Sequence, residues 1–155
     1  MNKTRKKLLT ELKKIAAHFR LTLSKIDIIR KSAIAIDVSN KKLLVINEND
    51  HPFFKTIDLD NVDACALKVD YSNINAGELQ ERDMEEFVEK IQLQIKHVDP
   101  RKSVNIPFYN KRQNTIHELR TLVNKATGWR DKITSMLPKR MVVRAQLKPI
   151  YHEQQ

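Results

Sequence analysis

Apolar residues in this chain follow two different periods, and the changes between them divide it into three parts. Near the N-terminus Leu8, Leu12, Ile15 and Phe19 recur at the four-then-three spacing of one helical face, with Leu9 and Ala16 beside them. Through the middle the period drops to two. Ile34, Ile36 and Val38 alternate, Ser39-Asn40-Lys41-Lys42 supplies turn residues, and Leu43 to Ile46 forms the return of a hairpin. Phe54 and Ile57 lead into a further strand region, where Cys65, Leu67, Val69 and Tyr71 share one face. Ile91, Leu93 and Ile95 alternate against Lys90, Gln92, Gln94 and Lys96. A turn opened by Asp99-Pro100 then returns through Val104, Ile106 and Phe108. Helical spacing resumes after Thr115 and Glu118, which form a capping-box pattern. Ile116, Leu119, Val123, Ala126, Trp129 or Arg130, Ile133 and Leu137 trace its buried side, and Pro138 ends it.

This order predicts an α+β fold. An antiparallel sheet of five to seven strands, able to curl into a partial barrel, is capped by a C-terminal amphipathic helix at 115–137. The expected organisation is a basic amphipathic helix over 1–20, an α+β domain over 21–137 and a basic tail over 138–155. The tail carries Met141, Val143 and Leu147 at strand spacing, and the polar stretch before Ile91 has room for a short helix from Glu78 to Glu89 with Leu79 and Phe87 as apolar contacts. A chain of 155 residues is long enough for one domain with a real core. Glycine is scarce, present only as Gly77 and Gly128, so a phosphate-cradling loop or a dinucleotide fingerprint is excluded. Gly128, inside the last helix, is expected to let that helix approach the sheet beside Trp129.

Charge is segregated along the same boundaries. Residues 1–31 hold ten Lys/Arg against two acids, 32–109 nine against fourteen, and 110–155 ten against three. The net charge of +10 therefore belongs to the two ends, which marks particular faces or arms as candidates for an anionic partner. The candidate polyanion-binding residues are Lys6, Lys7, Lys13 and Lys14 on the first helix, and Lys139, Arg140 and Arg144 in the tail. The first helix can dock its apolar stripe on the core with its lysines solvated, or lie on an anionic membrane or nucleic acid. The basic ends can also complement the acidic middle within a protomer or between protomers.

Catalytic chemistry finds little support. No two of the five histidines stand at spacings that aim both at one metal, and one cysteine rules out a thiolate zinc site. Cys65 lies on an apolar strand face, where it reads as a small core residue. Asp58, Asp60, Asn61 and Asp63 lack the donor spacing and the glycine of a calcium loop. Glu85, Glu86 and Glu89 read as a solvated face. No enzyme activity, cofactor or metal is expected. The absence of an apolar run of transmembrane length and of a disulfide pair points to a cytoplasmic protein, peripheral to the inner membrane if the basic helix binds there.

Strand pairs near 33–46, 55–71 and 90–109, followed by one long amphipathic helix carrying Trp129, resemble the pleckstrin-homology-like (PH-like) domains over residues 21–137. The resemblance implies a bent antiparallel sheet plugged at one end by the C-terminal helix. It also implies a non-enzymatic scaffold that binds peptides, proteins or a membrane surface. The first hairpin offers Lys41 and Lys42 without the Arg-bearing pattern of inositol-phosphate binders, so that specificity is not carried over. The expected function is a non-catalytic interaction module with a protein partner or an anionic membrane surface. The alternative is a nucleic-acid-binding protein using phosphate contacts from its basic ends.

Overall fold

Two antiparallel meanders carry the middle of the chain, in a computed structural model that describes residues 3–48, 52–73, 75, 77–78 and 83–138. The first consists of β1 (Lys25–Ile29), β2 (Ser32–Asp37), β3 (Lys42–Asn47) and β4 (Phe53–Asp58), paired in that order. The second consists of β5 (Val62–Tyr71), β6 (Val88–His97) and β7 (Val104–Asn110). Helix α1 (Lys3–His18) precedes them and α2 (Ile116–Ser135) follows. The fold is α+β, with seven strands among the described residues, but the two sheets are not closed into a barrel. The two strands expected as a pair over 55–71 are both present, as β4 and β5, but they do not pair with each other. Asp58 accepts the Asp60 N–H at 3.0 Å and caps a 3-10 turn over Leu59–Asn61. That turn buries Leu59 and sends β4 and β5 into different sheets.

The first sheet is covered on both faces, which is why β2 is buried along its whole length. Ile34, Ile36, Leu43, Val45 and Ile57 point to the main core, where they meet Cys65, Leu93, Ile95, Ile106 and Phe108 of the second sheet. The alternate residues Ala33, Ala35, Leu44 and Ile46 point the other way, against Leu8 and Leu12 of α1. Each of these leucines is fully buried, and each burial is worth about 1.5–3 kcal/mol. Phe19, expected on this stripe, is instead 46% exposed. The helix has already ended at His18, and a Schellman turn follows, in which the Leu21 N–H donates to the Ala16 carbonyl at 2.7 Å. That turn puts Arg20 at φ 57°; Arg30 and Lys41, in the β1–β2 and β2–β3 turns, stand at 53°. This glycine-poor chain thus holds basic residues where glycine is easiest to accommodate.

Helix α2 plugs the space between the sheets. Its capping box closes from the glutamate, the Thr115 N–H donating to Glu118 Oε1 at 2.9 Å. Backbone and side-chain hydrogen bonds from Thr115 and Asn114 hold the Glu118 carboxyl below its ordinary range. Ala126, Trp129 and Ile133 enter the main core, whereas Ile116 stays exposed. The indole Nε1–H of Trp129 donates to Asp27 Oδ2 at 2.7 Å and so ties α2 to β1. β1 lies outside the strands expected from periodicity: Lys25-Ile26-Asp27-Ile28 alternates for only four residues before Ile29 breaks the pattern. The expected helix over Glu78–Glu89 is contradicted at its C-terminal end. There Met84–Phe87 forms a 3-10 turn with Phe87 buried, while Leu79 lies outside the described residues.

Gly128 does not serve a close approach. A Cβ there would meet only Lys25 Nζ, at 3.9 Å, an ordinary contact with the tip of a flexible side chain. Gly128→Ala is therefore expected to stabilise the protein by about 0.5–1 kcal/mol, through helix propensity and a less flexible unfolded chain. Urea unfolding followed by circular dichroism measures it. A destabilised variant would show that the backbone there is tighter than the geometry indicates.

Candidate interaction surfaces

The second sheet is longer than the helix that covers it. Along β5 the first residues, Val62 to Cys65, are buried or half-buried, but most of Ala66–Tyr71 is exposed or half-exposed. Leu67, Val69 and Tyr71 face inward and pair with Leu93, Ile91 and Val88 of β6, the last across a register shift at Asp70/Tyr71. Below them a small apolar cluster of Val88, Ile91, Tyr109 and Leu119 is closed. The main core draws the middle and C-terminal turns of α2 inward through Ala126, Trp129 and Ile133. Its first turns leave a groove of about 380 Å³ between Leu119, Arg120, Val123 and Asn124 on one wall and Leu67, Val69 and Tyr71 on the other. Val69 is 36% exposed and Tyr71 48%. The rim carries opposite charges, with Arg120 Nη2 lying 3.6 Å from Glu85 Oε1. Among the described residues β5 is also an edge strand, paired only with β6. Its backbone therefore offers donors and acceptors beside an apolar trough.

Leu67, Val69 and Tyr71 share one strand face, as their alternation predicts, but alternation alone does not mark the outer two as uncovered. The only local hint is polar: Arg120 and Asn124 stand where a fully packed helix would carry apolar residues.

The predicted lysines of α1 fall on a second surface. Lys6, Lys7, Lys13 and Lys14 are all exposed on the side of the helix turned away from the sheet. Lys7 Nζ lies 3.7 Å from Glu48 Oε1. The other three enter no ion pair among the described residues. Because Leu8, Leu12 and Ala16 are already committed to the sheet, α1 has no free apolar stripe to insert into a bilayer. Lys139, Arg140 and Arg144, with the rest of the expected tail, lie outside the described residues.

The basic ends partly neutralise the acidic middle within the chain. Besides Lys7 with Glu48 and Arg120 with Glu85, Lys111 Nζ is 4.0 Å from Glu89 Oε1. The first and third charge blocks also touch. The Arg30 guanidinium donates to the Gln113 carbonyl at 2.8 Å, joining the β1–β2 turn to the loop before α2.

Other chemistry-bearing residues have structural explanations. Burial pushes the Cys65 thiol up to about 12 against the opposing charge of Arg130, so it is a protonated core side chain at neutral pH. Asp58, in the acidic stretch that lacks calcium-loop spacing, is held low by the hydrogen bond from Lys42 at 2.9 Å and by the Asp60 N–H. His97 Nδ1 accepts the Asp99 N–H at 2.9 Å. Among the described residues no group of three His, Cys, Asp or Glu side chains converges to hold a metal, and no helix is long and apolar enough to cross a membrane. No protein-family model, curated protein or solved structure matches this chain, so the functional reading rests on its own geometry.

Proposed function

We propose that this protein is a non-catalytic interaction module that takes an extended segment of a partner protein into the groove between β5 and α2. The observation that carries the reading is the coincidence of the apolar trough with a strand edge that is unpaired among the described residues. An incoming strand would satisfy the edge of β5 through its backbone and place alternate side chains between Val69, Tyr71 and Val123. Main-chain pairing supplies affinity in this mode, and the pockets select apolar residues two apart. The Arg120–Glu85 pair at the rim would favour a partner with polar residues at the intervening positions. A four-stranded meander, a three-stranded meander and a closing helix with a buried tryptophan also support a PH-like reading of the domain.

The test is selection of peptides from a random display library on the full chain. Enriched sequences should alternate apolar residues. Val69→Asp should lower their affinity about tenfold or more, while Val98→Asp, an exposed apolar position outside the groove, should not. Enrichment indifferent to Val69→Asp would reject this site. The nucleic-acid alternative draws support from the meeting of the two basic blocks at Arg30 and Gln113. Because Arg30 and Lys111 are both engaged within the fold there, that reading is the weaker one.

A further inference from the structure

From the outward side of α1 we infer that the protein has a second, independent interaction surface that docks on an anionic lipid surface by charge alone. At 3.6 residues per turn, Lys6 and Lys13 share one flank of the helix, and Lys3, Lys7 and Lys14 share the other. Between the two rows the exposed positions are Thr10 and Ala17. Glu11 is half-buried at the edge, and no acid lies between the rows. Lys3, Lys6, Lys13 and Lys14 enter no ion pair among the described residues. Lys3 to Lys14 spans about 16 Å along the axis. A plane of headgroups meets both rows at once.

The make-up of this face favours lipid over nucleic acid. The outward face offers small and aliphatic residues between its lysines, with no arginine to grip a phosphate bidentately and no aromatic to stack on a base. The helix cannot sink further, since Leu8, Leu12 and Ala16 hold it to the sheet. Attachment is thus superficial and sensitive to salt. α1 covers the face of the first sheet opposite the main core, while α2 and the groove lie on the core side. A bilayer at α1 therefore leaves the groove facing water, and both surfaces can be occupied together.

The experiment is co-sedimentation of the full chain with phosphatidylcholine vesicles, with and without about 30% phosphatidylserine. Retention should require the anionic lipid and vanish at high salt. With about fivefold in partitioning per lysine, replacing Lys3, Lys6, Lys13 and Lys14 together by glutamine should reduce retention more than about a hundredfold. Circular dichroism should show the variant folded. Val69→Asp should leave retention unchanged, so failure at one surface is distinguishable from failure at the other. The inference is overturned if the folded lysine variant is retained like the wild type, or if wild-type protein ignores anionic vesicles. It is overturned equally if duplex DNA competes the protein off the vesicles at equal charge concentration, or if retention depends on Lys139, Arg140 and Arg144 and not on α1.

Discussion

Replacing Trp129 with alanine is expected to cost about 3–5 kcal/mol of stability, the largest effect of any single substitution considered for this fold. The indole is fully buried at the junction of both sheets and α2. It carries three interactions that alanine cannot replace. Its surface fills the core, its Nε1–H donates to Asp27 at 2.7 Å, and Lys25 Nζ lies 4.7 Å from its ring centroid. Trp129→Phe keeps most of the apolar surface but leaves Asp27 without that donor, so about 1–3 kcal/mol should be lost. Circular dichroism in urea is the suitable probe, because the variants lack the chain's single tryptophan. A loss below about 1 kcal/mol for the alanine variant would mean that α2 does not plug the sheets through this residue.

The second large effect is expected at Asp37, a fully buried carboxylate at the end of β2. It accepts the Thr22 N–H at 2.8 Å, the Asn40 N–H at 3.0 Å and the Asn40 side-chain amide at 2.7 Å. It therefore fixes both the β2–β3 turn and the segment leading from α1 into β1. Burial pushes its carboxyl up, but the hydrogen bonds from Asn40, Thr22 and Ser39 outweigh it and hold the group below its ordinary value of 3.8. Asp37→Asn turns an amide N–H₂ toward these donors and should cost about 1–3 kcal/mol near neutral pH. A group with a lowered native pKa binds fewer protons folded than unfolded. Its stabilisation is complete above the unfolded value and fades as pH falls through the native one. The gap between wild type and Asp37→Asn should accordingly be full above about pH 5 and narrow below about pH 4. Asp58 and Asp99, held low by Lys42 and Arg101, add to the acid sensitivity of both proteins. A gap that stays constant down to pH 2 would show that the charge on Asp37 is not what holds the turn.

Much of the architecture was legible because strands and helices with one buried face write their period into the chain. β6 is the clearest case, with Ile91, Leu93 and Ile95 buried and polar residues between them. Thr115 with Glu118, and Asp99 with Pro100, marked their local structures for the same reason: the chemistry that forms them is local. β1 escaped because its inward and outward sides both find apolar cover, so Ile28 and Ile29 stand side by side without alternation. That β4 and β5 would part into different sheets escaped because the capped turn over Leu59–Asn61 that separates them has no apolar period of its own. The lysines of α1 were readable as a face because helical geometry alone sorts them from Leu8 and Leu12. The groove was not, since its existence depends on how far α2 extends over β5 once Trp129 is seated, a tertiary fact with no local signature.

The most direct test of the central claim is to place an isotope-labelled full chain with a peptide selected on it and record cross-strand nuclear Overhauser effects. Backbone contacts from the peptide to the Ala66–Tyr71 segment of β5, together with side-chain contacts to Val69 and Val123, are the predicted result. A peptide that binds with contacts confined to other surfaces, leaving the amides of β5 unchanged, would contradict it.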